Sequence, residues 1–478
     1  MKVYRVTRRY ASLWALLPLI TYTSTTYGWE TANIHTKSQR FRLSLQQDSI
    51  GPVHTWPYWP STQSSNSTRF AINGSKNAAI SNSLIHSSRS EAGFAMQHQF
   101  VNHAGFATVQ LNIDSHLYSE QFCSEQANNA QSNNFDADSF KTNLDGSSAG
   151  FFLGHWSMAV GAVDRWWGPS WQSPLILSNN ARPIPMLSLD RTTTQPSDWD
   201  FLRWLGPWHL STFIGQLESD RQVAKPLLWG LRASVMPIDG VELGISRTAM
   251  FGGGNRQVNL KTIVDVVIGK DNGVNQPGNQ LGSFDISYKY ATGLGSHLVG
   301  HEFYVEIAGE DEAHYFPTKK FATTGYTGFI DLQQGAQALH YLMEYSNTTA
   351  GSFGERDIPG ITYAHHIFPD GYTFNNEVIG SPLGADKQAI TIGMWLDQSA
   401  SDRPQTIGFW LSRQKDQRSA AQVASSEPLQ QLALWVERPC FEFQCKLSLD
   451  FFNQPVRNNQ IDDTGKDFAL GVQWQWQL

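Results

Sequence analysis

From about residue 91 the chain alternates between apolar and polar positions. Phe94, Met96, His98 and Phe100 share one face of the first such stretch. Ala107, Val109, Leu111 and Ile113 then alternate with Thr108, Gln110, Asn112 and Asp114. The same period of two returns where Phe284, Ile286, Tyr288 and Tyr290 oppose Ser283, Asp285, Ser287 and Lys289. It returns again at Ile390, Ile392, Met394 and Leu396, and last at Phe468, Leu470, Val472, Trp474 and Trp476. A period of two predicts β-strands. One strand of this kind fits a soluble sandwich equally well. Many of them, with charged or amide residues on one face and large aromatics at strand ends, predict a wet lumen and a lipid-facing exterior.

The predicted fold is therefore all-β: a transmembrane antiparallel β-barrel. About 450 mature residues, at roughly 25 per strand with its connection, give on the order of 18 strands, and an even number is expected. Polar stretches at 120–148, 252–280 and 350–388 are the expected external loops. Composition agrees. Charged residues make up 16% of the chain and aromatics 12%, with 17 Trp and 39 Gly. Mean hydropathy is −0.35, and after residue 28 no apolar run reaches the 18 or more residues of a spanning helix.

Lys2, Arg5, Arg8 and Arg9, then an apolar run from Ala11 to Ile20, predict an export signal over residues 1–28. Its removal makes a chain of formal charge −7 more acidic still, with no basic patch for nucleic acid. Residues 29–88 are polar and weakly patterned, and form a short N-terminal periplasmic segment. The barrel is placed at 89–478. Cys440 and Cys445 are close enough for a small disulfide loop, which would leave Cys123 unpaired. No cysteine pair has zinc-finger spacing, so neither a metal nor a cofactor is expected.

The most unusual stretch is Asp164-Arg165-Trp166-Trp167-Gly168-Pro169-Ser170-Trp171. Gly-Pro predicts a turn, so the indoles are presented from a bend rather than a helix face. Flat aromatic faces beside Arg and Asp suit sugar rings. Trp is also enriched at membrane–water boundaries, and these residues alone leave both readings open.

Trp-Trp-Gly-Pro, followed by Leu175-Ile176, Ala181-Arg182-Pro183 and Arg191, resembles the capsule assembly Wzi family. The likeness extends to Glu242-Leu243-Gly244, Gly269-Lys270-Asp271-Asn272, Gly309-Glu310-Asp311-Glu312 and the stretch from Tyr363 to Tyr372, and covers roughly residues 90–478. The resemblance implies an outer-membrane barrel of 18 strands, with loops at the cell surface, that binds capsular polysaccharide or a related exopolysaccharide. It also implies a helical periplasmic bundle near the N-terminus. The segment around Thr55-Trp56-Pro57 resembles the edge of that bundle but is too short and polar for the whole of it. Asp164, Arg165, Trp166, Trp167, Trp171, Arg182 and Arg191 become the candidate site, as a carbohydrate platform, as braces of an inward-folded loop, or both.

Catalytic constellations are weak. Gly146-Ser147-Ser148-Ala149-Gly150 fits the G-x-S-x-G pattern, but that motif needs a helix after it and a strand is predicted there. Adjacent His365 and His366 would point to opposite faces of a strand. Glu310-Asp311-Glu312, or Glu218 with Asp220, would need two carboxyls facing across a sugar, and acidic runs usually line loops or lumens. The expected protein is a monomeric, non-enzymatic lectin that touches outer-membrane lipid and polysaccharide. A porin or sugar channel and an outer-membrane hydrolase are the alternatives.

Overall fold

The computed structural model describes strand backbone at residues 55–56, 65–75 and 92–101, then residues 104–115 and 140–477 except 268–271, 274–275, 314–315, 334–335, 355, 399–404, 419–427, 441–442 and 454–466. The export signal, most of the segment 29–88 and Cys123 lie outside the described residues.

Antiparallel ladders run in a closed ring. Its first half is Ser65–Ser75, Ala92–Val101, Gly105–Ser115, Ser148–Leu153, Trp156–Ala162, Pro185–Arg191, Trp208–Gln216, Leu227–Ile238 and Val241–Phe251. The second half is Asn279–Leu294, His297–Ala313, Phe316–Asp331, Gln337–Asn347, Lys387–Gln398, Gln405–Asp416, Leu429–Cys440, Phe443–Phe452 and Asp467–Gln477. Phe140–Asn143 extends Ser148–Leu153 along the same neighbour, Gly105–Ser115. Among the described residues the ring thus has eighteen places. Closing the ring pairs every strand on both sides, as a sheet in lipid requires.

The closing strand, Ser65–Ser75, pairs with both Asp467–Gln477 and Ala92–Val101. The barrel therefore begins before residue 89, inside the stretch the sequence pattern assigns to the periplasm. The reason is compositional: Ser-Asn-Ser-Thr-Arg-Phe-Ala-Ile-Asn-Gly-Ser offers only Phe70 and Ile72 as large apolar residues, too few to display the period.

The packing of the wall is inverted relative to a soluble protein. Val160, Phe303, Met343 and Ile407 are 49–60% exposed, while Asp190, Arg232, Glu242, Lys289 and Glu302 are at most 4% exposed. An apolar skin on the outside is what contact with lipid tails requires. The charges inside are paired. Arg232 reaches Asp285 at 2.6 and 3.0 Å, and Lys289 lies 3.2 Å from Glu242 and 3.7 Å from Glu302.

The two ends differ. Turns such as 239–240 and 295–296 close one end, and Cys440 and Cys445 are bonded beside another, their Cα atoms 5.9 Å apart. The connections 163–184, 217–226, 252–278 and 348–386 all leave from the opposite end. Outer-membrane barrels keep short turns on the periplasmic side and long loops outside.

Candidate functional site

Ala162 and Pro185 are directly paired, so the whole segment 163–184 is an excursion between neighbouring strands. It turns into the barrel. Trp167, Trp171, Leu175, Ile176 and Leu177 are no more than 3% exposed. Gly168 makes the turn with φ +108°, and a Cβ there would meet Glu306 Oε2 at 2.7 Å. Only glycine meets both conditions.

Three buried carboxylates of the wall receive the inward segments. Glu344 accepts the Trp171 N–H at 2.7 Å, the Ser170 hydroxyl at 3.0 Å and the Ser173 N–H at 3.0 Å, together with the Tyr304 phenol. Glu306 accepts the Leu175 N–H at 3.3 Å, and Glu310 accepts the Tyr363 N–H. A bend cannot pair its own backbone as a helix or strand does, so each buried N–H needs such a partner. These acceptors were not legible in sequence, where Glu310 is one member of an acidic run.

A second segment, 348–386, folds over the first. Tyr363 OH donates to Leu175 O at 2.7 Å, and Tyr372 OH to Ile176 O at 3.1 Å. The Ser178 N–H donates to Ile379 O at 3.0 Å. Phe368, Tyr372, Phe374 and Ile379 join Trp167, Leu175 and Ile176 in one apolar core inside the barrel. Tyr363 and Tyr372 lie in the connection, and burial raises both phenols above their ordinary value. They serve as neutral donors. The apolar residues of 348–386 were the signal that this loop is not simply external.

The candidate residues divide among three places. Arg165 makes a bidentate ion pair with Asp190 and donates to Ser211 Oγ at 2.8 Å. Trp166 Nε1 donates to Ser170 O at 3.0 Å, and Trp167 packs on Phe213 at 5.6 Å between ring centres. Trp171 lies 5.2 Å from Trp395, and Asp164 is buried beside Arg165 in the chain. Arg182 pairs with Asp145 at 2.8 Å, away from that cluster. Arg191 stands at the short-turn end, its guanidinium 3.7 Å from the centre of the Trp208 ring.

The structure also places the weaker motifs. Ser148–Leu153 is followed by another strand, so the Gly-x-Ser-x-Gly match does not stand before a helix. The His365 and His366 rings lie 4.7 Å apart, tilted by 35°, in the inward connection, and among the described residues no group of three or more ligating side chains could hold a metal. Backbone Thr55–Trp56 pairs with Trp166–Trp167, which ties the N-terminal stretch to the bend.

Within the connection 348–386 a tight hairpin joins Thr373–Phe374 to Glu377–Val378, with Phe374 and Val378 in the plug core. Its tip, Asn375 and Asn376, has φ of 49° and 64°, which asparagine tolerates better than most residues. Both tip residues are half-buried, as are Asn179 and Asn180, and Asn180 Nδ2 donates to Val378 O at 2.9 Å. Asn180 thus ties the first inward segment to the hairpin of the second.

A family model for the capsule assembly protein Wzi matches residues 62–464. The chain belongs to that family. Over 200 residues it is 32% identical to an uncharacterized 55.8 kDa protein in the cps region of Klebsiella pneumoniae, a match covering 41% of this chain and 38% of that one. The matched stretch therefore spans little more than a third of that relative's length. The solved Wzi of Escherichia coli, described as an outer membrane protein involved in group 1 capsule assembly and a carbohydrate-binding β-barrel, superposes with a TM-score of 0.71. The identity there is 19%, and the match covers 93% of this chain and 99% of that one. At that identity the likeness establishes a shared fold.

Proposed function

We propose that this protein is an outer-membrane lectin that holds exported capsular or related polysaccharide at the cell surface and helps to organise the capsule. Family membership supports the role. The observation that carries it is the filled lumen: the two inward segments share one apolar core and are hydrogen-bonded to each other and to the wall. A barrel closed in this way offers a fixed outer face rather than a passage.

In this reading Asp164, Arg165, Trp166, Trp167 and Trp171 brace the plug. Arg182 braces its exit through Asp145. The half-buried asparagines at 179, 180, 375 and 376 meet the glycan, because amides both donate to and accept from sugar hydroxyls. Each contact is weak, and retention comes from one long polysaccharide meeting many monomeric copies. The bound glycan is not chemically altered, and neither a cofactor nor nucleic acid takes part.

A glycan array probed with the detergent-solubilised full chain tests this. Capsular or exopolysaccharide fragments should bind, and Asn179→Ala with Asn180→Ala should weaken binding while the barrel still assembles. Absence of binding to any acidic or neutral bacterial polysaccharide would overturn the reading. Conductance in planar bilayers separates it from a porin or sugar channel, for which a steady open current is expected.

A further inference from the structure

The connection 192–207 is the exception among those at the short-turn end: it is long, and it carries a 3-10 turn over Asp200–Leu205. Trp199, Phe201 and Trp204 on it are 65%, 69% and 68% exposed, and Trp199 stacks on Phe201 at 5.6 Å. These exposures lie at the top of the range of the apolar residues along the barrel wall, which reaches 66% at Ile238. The loop is nonetheless firmly shaped. Arg191 Nη1 donates to Thr193 O at 2.8 Å, Gln195 O at 3.1 Å and Trp208 O at 2.7 Å. The Met236 N–H donates to Pro207 O at 2.8 Å, which ties the loop to the end of Leu227–Ile238. There a register irregularity between Val235 and Ile238 pairs Ile238 with Val241, on the same outward face as Leu243. Ile238 is itself 66% exposed. The loop that carries the aromatic patch is thus tied to the end of a wall strand at the point where its outward face exposes Ile238.

We propose that this loop is a membrane-interface anchor, with Trp199, Phe201 and Trp204 lodged among the headgroups of the leaflet nearest the short turns. Indole and phenyl rings are enriched at that depth, where an apolar body and a polar edge are both satisfied. Asp200 and Arg203, paired at 3.0 Å and largely exposed, keep the intervening positions in water. Arg191 is a positioning residue for this anchor, distant from the glycan face.

The test uses the full chain with Cys123→Ser, reconstituted in phosphatidylethanolamine–phosphatidylglycerol vesicles. A nitroxide is placed by Phe201→Cys, with Trp204→Cys as an independent second position. Asp357→Cys, on an exposed loop at the opposite end, and Phe303→Cys, on the lipid-facing wall, are the references. The anchor is supported if both probes shift toward the oxygen accessibility of position 303 and away from the nickel-chelate accessibility of position 357. Nickel accessibility matching position 357 would overturn it. The same probes turning inaccessible only in native envelopes would assign the patch to a periplasmic partner instead.

Discussion

Arg165 and Asp190 face each other inside the barrel through two hydrogen bonds of 2.8 and 2.9 Å, and both side chains are almost fully buried. One comes from the inward bend and the other from the wall, so the pair fixes where the plug sits. Removing one partner strands a charge, which costs roughly 3–5 kcal/mol, whereas replacing both with apolar groups is often neutral. Arg165→Met should therefore lower the unfolding midpoint of the reconstituted barrel, and Arg165→Met with Asp190→Leu should recover much of the loss. Equal loss in the single and double variants would show that the two charges do not depend on each other.

Glu344 gathers donors from three consecutive backbone positions of the bend, Trp171, Gln172 and Ser173. A carboxylate can accept them all, but an amide turns one acceptor oxygen into a donor aimed at them. Glu344→Gln should speed hydrogen exchange at residues 170–173 without altering the strands. Glu344→Ala, which also frees space, should give measurable conductance in planar bilayers. A silent Glu344→Ala barrel with unchanged exchange would mean that other contacts hold the plug alone.

Asp386, at the end of the inward connection 348–386, carries the pH dependence. Burial pushes its carboxyl up to about 6, with the negative Asp416 adding to the rise, while the Gly360 N–H at 2.7 Å and the positive Arg418 oppose it. A carboxyl raised in the folded state favours that state when protonated. Its contribution is fully present below the ordinary carboxylate value near 4 and is lost as pH rises through about 6. Limited proteolysis of the loop should therefore be slower at pH 4.5 than at pH 7. Asp386→Asn keeps an oxygen for Gly360 and should flatten that difference; an unchanged profile would place the titrating group elsewhere.

Much of the fold was legible in the sequence because a half-buried strand repeats every two residues, as at Phe284–Tyr290 and Ile390–Leu396. Ser65–Ser75 escaped because Phe70 and Ile72 are its only large apolar residues. The bend at 164–171 was conspicuous by composition, yet its direction was not. An inward fold is a property of partners far along the chain: Glu344 lies more than 170 residues from Ser170. The role of Arg191 was obscured for a different reason. Its partners are carbonyl groups and a single ring, and carbonyls are present at every residue.

Trp166 and Trp167 pose the sharpest question about the site, since Trp167 is fully buried. Gly230 gives it room, because a Cβ there would stand 2.4 Å from Phe213 and 2.9 Å from the Trp167 ring. Truncating a buried Trp to Ala costs about 3–5 kcal/mol, borne by the plug and not by the ring of strands. Trp166→Ala with Trp167→Ala should therefore leave heat-modifiable barrels in the membrane but weaken polysaccharide retention on whole cells. Arg165→Met removes no aromatic face and distinguishes the two ways this can happen. If the indoles act by bracing, Arg165→Met should lower retention in the same direction, by loosening the same segment. Retention kept in Arg165→Met and lost only with the indoles would instead put the sugar against Trp166 and Trp167 themselves.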